Sequence, residues 1–369
     1  MRDVIIIGGG LAGLVNATLL SRSGLDVLLI EKKNYPFHRV CGEYISNEVR
    51  PFLETNALFP KELNPAEIKH FSLSSISGKT AEAPLGLGGF GISRYDLDQF
   101  LFEQAKEAGA EVLTGRSVQS VRYEEEDFFV AANKEILKSR LVIGAFGKRS
   151  ALDREMDRDF MKRRSPYLGV KYHIKTDLPK NLIALHNFKN GYCGLSSVGG
   201  DTYNLCYLSH RDNLKDRSVA EMEAEILHRN SHLKAIWENS DFLFDQPIVI
   251  NEISFEKKGP LHDHIFMSGD TAGMITPLCG NGMAMAIRSA YLLSGLILAN
   301  WNDGKINRAR LEKEYVKEWN KAFSQRLWVG RQFQKLFGSE ILSEWAVGLV
   351  KKPAIASRLI AASHGKPFS

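Results

Sequence analysis

The sequence predicts an α/β protein in which a Rossmann-like dinucleotide-binding domain is interrupted by an antiparallel β-sheet domain and followed by a helical C-terminal region. Three observations carry this. The first thirty residues read strand, glycine turn, helix, strand; residues 160–257 hold segments of period-2 hydropathy; and the last seventy repeat apolar and aromatic positions at helical spacing.

The opening stretch "DVIIIGGGLAGLVNATLLSRSGLDVLLIEKK" is the most informative. Val4 to Ile7 form an apolar run suited to a buried parallel strand, Leu11 to Ser23 carry a helical pattern closed by Gly24, and Val27 to Ile30 form a second strand. Gly8, Gly10 and Gly13 therefore sit in a strand-to-helix turn with G-x-G-x-x-G spacing. The first two let the main chain approach a pyrophosphate and the third lets helix and strand pack closely. Leu11 and Ala12 belong to the first helical turn, whose N–H groups face the phosphates. Glu31, followed by Lys32, ends the second strand 23 residues after Gly8, where a carboxylate accepts hydrogen bonds from unphosphorylated ribose hydroxyls.

A chain of 369 residues suits one or two domains, and 48 basic against 43 acidic residues leave a net charge of +5. That excess is too small and too dispersed for a nucleic-acid partner. The four cysteines, Cys41, Cys193, Cys206 and Cys279, show neither disulfide-framework nor zinc spacing, so a reducing cytoplasm and no metal site are expected. The apolar start ends in glycine too early for a signal segment, and "MAMAIRSAYLLSGLILANW" is broken by Arg288, two serines and Gly295, so it reads as a buried helix and not as a membrane span.

After residue 31 the chain departs from a nicotinamide dehydrogenase. "NYPFHRVCGEYISNEV" is a loop carrying Arg39, Cys41 and Gly42, with a helix start at Ser46. Here the sequence resembles the flavoprotein family of aromatic-ring hydroxylases, flavin halogenases and geranylgeranyl reductases, whose reductase branch has a Cys-Gly loop beside the flavin. "ISRYDLDQFLFEQAKEAGAEV" is similar to the segment in which an arginine, here Arg94, opens a helix leading into the next strand. "SRLVIGAFGKRSAL" resembles the second glycine motif, bringing Gly144 and Gly147 to the phosphates, although Phe146 stands where the hydroxylases usually carry Asp.

The resemblance is widest at "GDTAGMITPLCGNGMAMAIRSA". It implies Gly269 and Asp270 at the ribityl or ribose part of FAD, and Pro277, Gly280, Asn281, Gly282 and Met283 along the pyrimidine side of the isoalloxazine, where a helix start stabilises anionic reduced flavin. Val118 is counted with these cofactor-contacting positions. The implied division is residues 1–75, 92–152 and 258–300 for FAD, 76–91 and 153–257 for substrate, and 301–369 for the helical C-terminal region.

On the substrate side, "YLGVKYHI" and "TYNLCYLS" predict an antiparallel sheet with one covered face, and Cys41, Tyr192 and Cys193 are candidates to line its cavity. Cys41 is the one candidate catalytic residue, and Glu43 is near it in sequence without being marked as an acid. His262 and His264 more simply flank a core strand than bind metal. The tryptophan-rich halogenase motif is absent. The expectation is an FAD-dependent oxidoreductase of a small or lipophilic substrate: first a monooxygenase, in which NAD(P)H docks transiently to reduce FAD and a C4a-hydroperoxide hydroxylates; alternatively a carbon–carbon double-bond reductase; and third a non-catalytic electron-transfer module. Peripheral membrane contact through the C-terminal helices accompanies a long apolar substrate.

Overall fold

The computed structural model describes residues 1–251, 253–276, 280–302, 304–334 and 338–369. Two sheets organise them. In the first, strands Leu261–His262, Ile265–Met267, Glu135–Gly144, Arg2–Ile7, Val27–Ile30 and Glu111–Leu113 lie side by side in that order, and the last five run parallel. An antiparallel hairpin, Val118–Glu124 and Asp127–Ala132, joins it through Glu135–Gly144. Continuous Val, Ile and Leu runs form the central strands because both faces are buried: Val4, Ile5 and Ile6 have no exposure.

Helices Leu11–Arg22, Arg94–Glu107, Gly282–Asn300 and Arg308–Gln334 share one core with this sheet. Gly282–Asn300 is long and apolar enough to cross a membrane. It instead buries Ala284, Ile287, Ala290, Leu293 and Ile297 in that core, against the first helix and against Arg308–Gln334.

The second sheet runs Asp241–Phe242, Tyr167–Lys175, Thr202–His210, Gly191–Gly199, Leu182–Phe188, Ala66–Ser74, Thr80–Gly91 and Tyr44–Ser46, with Ile248–Asn251 also paired to Tyr167–Lys175. It is antiparallel except where Leu182–Phe188 meets Ala66–Ser74. Two expectations change here. Strands Tyr44–Ser46 and Ala66–Ser74, read as part of the 1–75 piece of the nucleotide-binding unit, run in the second sheet, because Ala66–Ser74 pairs with its neighbour Thr80–Gly91 and with residues 182–186, and the latter pairing leaves no local signal.

Nor is only one face covered. Val170, Tyr172, Cys193, Leu205 and Tyr207 pack under helices Val219–Glu225 and Ser231–Glu238 through Met222, Leu233 and Ile236. The opposite face, with Leu73, Leu185, Tyr192 and Leu208, is covered by Ala346, Val347, Val350 and Ala356 of helices Glu340–Val350 and Pro353–Ser363. The C-terminal helices thus cap the second sheet.

Candidate active site

Three turns meet at the C-terminal ends of the parallel strands, where open α/β sheets place ligands. Gly8 has φ +102°, and a Cβ there would stand 2.5 Å from the Ala145 carbonyl oxygen; a Cβ on Gly13 would stand 1.9 Å from the Gly8 carbonyl oxygen. Glycine is therefore required at both positions: at Gly8 by the positive φ and the crossing of the second turn, at Gly13 by helix–strand closeness. Gly144 ends its strand, and its carbonyl accepts from Ser268 N–H at 2.9 Å. Thr271 Oγ1 accepts from Gly147 N–H at 2.8 Å, joining the second and third turns, while Gly269 lies against Ala12 of the first helix.

The helix start at Leu11 has Gly10 as its cap and no acid in its first turn, so its N–H groups are open to an anion. Glu31 is buried, accepting from Gly9 N–H at 2.8 Å and Lys33 N–H at 3.0 Å, with Arg39 Nη2 at 3.5 Å. A carboxylate has about four acceptor positions, so it can still accept from a further hydroxyl. Arg39 also donates to Asp98 and to the Gly9 carbonyl, and Tyr35 donates to that carbonyl at 2.5 Å while stacking on Phe102. Lys32 is exposed, and Val118 opens its hairpin strand partly buried. At the third turn, the Asp270 carbonyl accepts from Lys258 Nζ at 2.9 Å, and Lys258 also reaches the Lys148 carbonyl. Burial pushes the Lys258 ammonium down to about 8 against the pull of Asp153 and Asp270. The helix Gly282–Asn300 begins with no acid in its first turn, beside Asn281, Gly280 and buried Met283. Pro277 and Cys279 lie outside the described residues. These groups fit a dinucleotide: open helix starts for phosphates and a buried carboxylate for ribose.

The loop of Cys41 bridges the two sheets. Lys148 Nζ donates to the Val40 carbonyl at 3.1 Å and Ser196 Oγ to the Gly42 carbonyl at 3.4 Å, and the Cys41 sulfur meets the buried Arg94 guanidinium. Arg94 is itself clamped by Asp98 at 2.6 and 2.8 Å. The next residue inward is Glu43, fully buried with φ +54°. Its carboxylate takes Lys171 Nζ and the Arg94 backbone N–H (2.7 Å) on Oε1, and His173 Nε2 (2.6 Å) on Oε2. Burial pushes this carboxyl up, but the Lys171 charge and the His173 bond outweigh it and hold the group below the usual range, ionised. His38, edge-on to His173 at 5.2 Å, continues the cluster into a partly exposed position.

The expected site did not include this cluster. Lys171 falls within an alternating strand where a cation reads as solvent-facing, and its burial depends on Cys206 and Ile248 of the neighbouring strands. Across the sheet Lys171, Cys206, Gly194, Leu185 and Leu73 form one row, so the charged cluster and the apolar face under the C-terminal helices share a surface. Tyr192 belongs to that face. Cys193 does not: it points into the opposite core, where burial pushes its thiol well above the ordinary range. His262 Nε2 donates to the Met156 carbonyl (3.0 Å), and His264 pairs with Glu312 (2.7 Å), so the two imidazoles serve different partners.

A parallel sheet with three converging glycine turns defines a dinucleotide-binding architecture. The family described as FAD binding domain matches residues 1–326, and the chain belongs to it: it is an FAD-dependent oxidoreductase. Protein FixC of Escherichia coli K12 is 31% identical over 84% of this chain and 79% of its own length. Digeranylgeranylglycerophospholipid reductase 2 of Methanopyrus kandleri is 25% identical over 93% of this chain and 88% of its own. Among solved structures, a geranylgeranyl bacteriochlorophyll reductase-like protein from Thermoplasma acidophilum superposes with TM-score 0.78 at 19% identity, covering 98% and 95% of the two chains. The flavin-dependent brominase Bmp2 gives the same TM-score at 18% identity, covering 98% and 93%. These two establish the fold.

Proposed function

We propose that the protein saturates a carbon–carbon double bond in a lipophilic substrate. The observation that carries this reading is the buried Glu43–Lys171–His173 cluster beside the Cys41 loop, on the same sheet face as the apolar core under the C-terminal helices. Saturation needs a hydride on one carbon and a proton on the other, and bound flavin supplies the hydride. In this reading the ionised Glu43 carboxylate holds Lys171 Nζ and His173 Nε2, the groups that carry the protons, one on each oxygen, while His38 stands edge-on to His173 on the partly exposed side. Cys41, held at Arg94, lines the reaction face, and the apolar core of Leu73, Leu185, Tyr192 and Leu208 under the C-terminal helices keeps water from that side of the cluster. The reductase relative supports this choice over the monooxygenase expectation.

The cofactor is assigned to Gly8, Gly10, Leu11, Ala12, Gly13, Glu31, Lys32, Arg39, Gly42, Arg94, Val118, Gly147, Gly269, Asp270, Gly280, Asn281, Gly282 and Met283, with NAD(P)H as a transiently docked donor. The test is anaerobic. Protein reduced with dithionite is mixed with a polyprenyl lipid, and flavin reoxidation is followed with product mass. A product heavier by two hydrogens, formed at least about tenfold more slowly by Glu43→Gln and by Cys41→Ser, is the expected result. Flavin that stays reduced in the anaerobic mixture, with a hydroxylated product formed once oxygen is admitted, would overturn the reading.

A further inference from the structure

Helix Glu340–Val350 is apolar on both sides. Its inner side, Ala346, Val347 and Val350, packs on the second sheet, as a surface helix should. Its outer side carries Ile341 at 77% exposure, Trp345 at 71% and Leu342 at 36%, at helical spacing. A surface helix ordinarily turns a polar face to water, so a cluster of exposed apolar side chains on its outer side marks an interaction surface. Glu344 beside this stripe is neutralised by Lys79 (3.1 Å) and bonds Ser77. At the helix end the exposed cations Lys351, Lys352 and Arg358 follow, against exposed Glu340 at the start.

We propose that this outer face docks the protein on an anionic lipid bilayer, with Ile341 and Trp345 entering the boundary between headgroups and acyl chains and Lys351, Lys352 and Arg358 meeting lipid phosphates. Tryptophan favours that boundary because its ring is apolar and its N–H polar, and clustered cations add attraction to an anionic surface. The helix is also the cover of the apolar sheet face, so docking sets that face against the membrane. The inference rests on exposure and charge and does not depend on which reaction the flavin supports.

The experiment is co-sedimentation of the purified full chain with vesicles of phosphatidylglycerol and phosphatidylcholine, and with phosphatidylcholine alone, beside light scattering without lipid. The wild type is expected to pellet with the anionic vesicles and to be released by salt. Ile341→Asn/Trp345→Gln and Lys351→Glu/Lys352→Glu should each bind at least about tenfold more weakly. Both pairs are exposed, so unchanged melting confirms intact folding. Wild-type protein that stays in the supernatant, or variants that bind as it does, would overturn the proposal. So would a lipid-free dimer that the Ile341→Asn/Trp345→Gln change dissociates, which would assign the stripe to self-association. Because no substrate or turnover enters the readout, failure here leaves the reductase reading standing.

Discussion

Glu43 is the residue whose surroundings say most. A carboxylate with no exposure is tolerable only if its charge is matched, and Lys171, His173 and the Arg94 N–H match it. Removing one member leaves the other stranded. Lys171→Met should therefore cost about 3–5 kcal/mol in urea unfolding, whereas Glu43→Gln/Lys171→Met should recover most of that loss. A single variant as stable as the wild type would show that the pair carries no uncompensated charge. The sequence displayed Glu43 only as a neighbour of Cys41; the pairing across some 130 residues has no local pattern to reveal it.

At the scale of elements, the turns and their flanks were legible. Strand Val27–Ile30 coincides with its expected span, and helices Leu11–Arg22 and Gly282–Asn300 begin where the glycines predict. The second sheet was legible as strands but not as to which face each residue meets: Cys193 and Tyr192, adjacent on Gly191–Gly199, enter different cores. One strand carries a titration consequence. His186 on Leu182–Phe188 bonds Ser74 Oγ at 2.9 Å and stacks on His232, and burial first, then the His232 charge, pushes it down to about 3. The unfolded chain takes up a proton near 6.5 while the folded chain does not until about 3, so stability falls as pH drops between these values. The loss is about 1.4 kcal/mol per pH unit, and His186→Gln should remove that slope from urea titrations at pH 6.5 and 5.0.

At the scale of the molecule, the proposed cofactor cradle draws on residues 8–13, 144–147 and 269–271, three turns held together by Gly147 on Thr271 and Gly269 on Ala12. A cofactor spanning these segments ties the fold together, so free FAD at about a hundred times its Kd should add about 2.7 kcal/mol of stability. Glu31→Ala and Asp270→Ala should each weaken FAD binding by at least about tenfold and shrink that increment; variants that keep full flavin content after dialysis would contradict the assigned cradle.

By itself the sequence determined the class of protein: short-range periodicity and glycine spacing report backbone geometry, and a strand–glycine turn–helix–strand unit with a terminal carboxylate leaves few alternatives to a dinucleotide cradle. Only the tertiary structure decided that Ala66–Ser74 joins the second sheet, that Lys171 is buried, that Glu43 is its counter-charge and that Trp345 faces outward. Those facts depend on which distant strand or helix covers a residue. Burial and ion pairing are properties of packed neighbours, and periodicity along one segment carries no record of them.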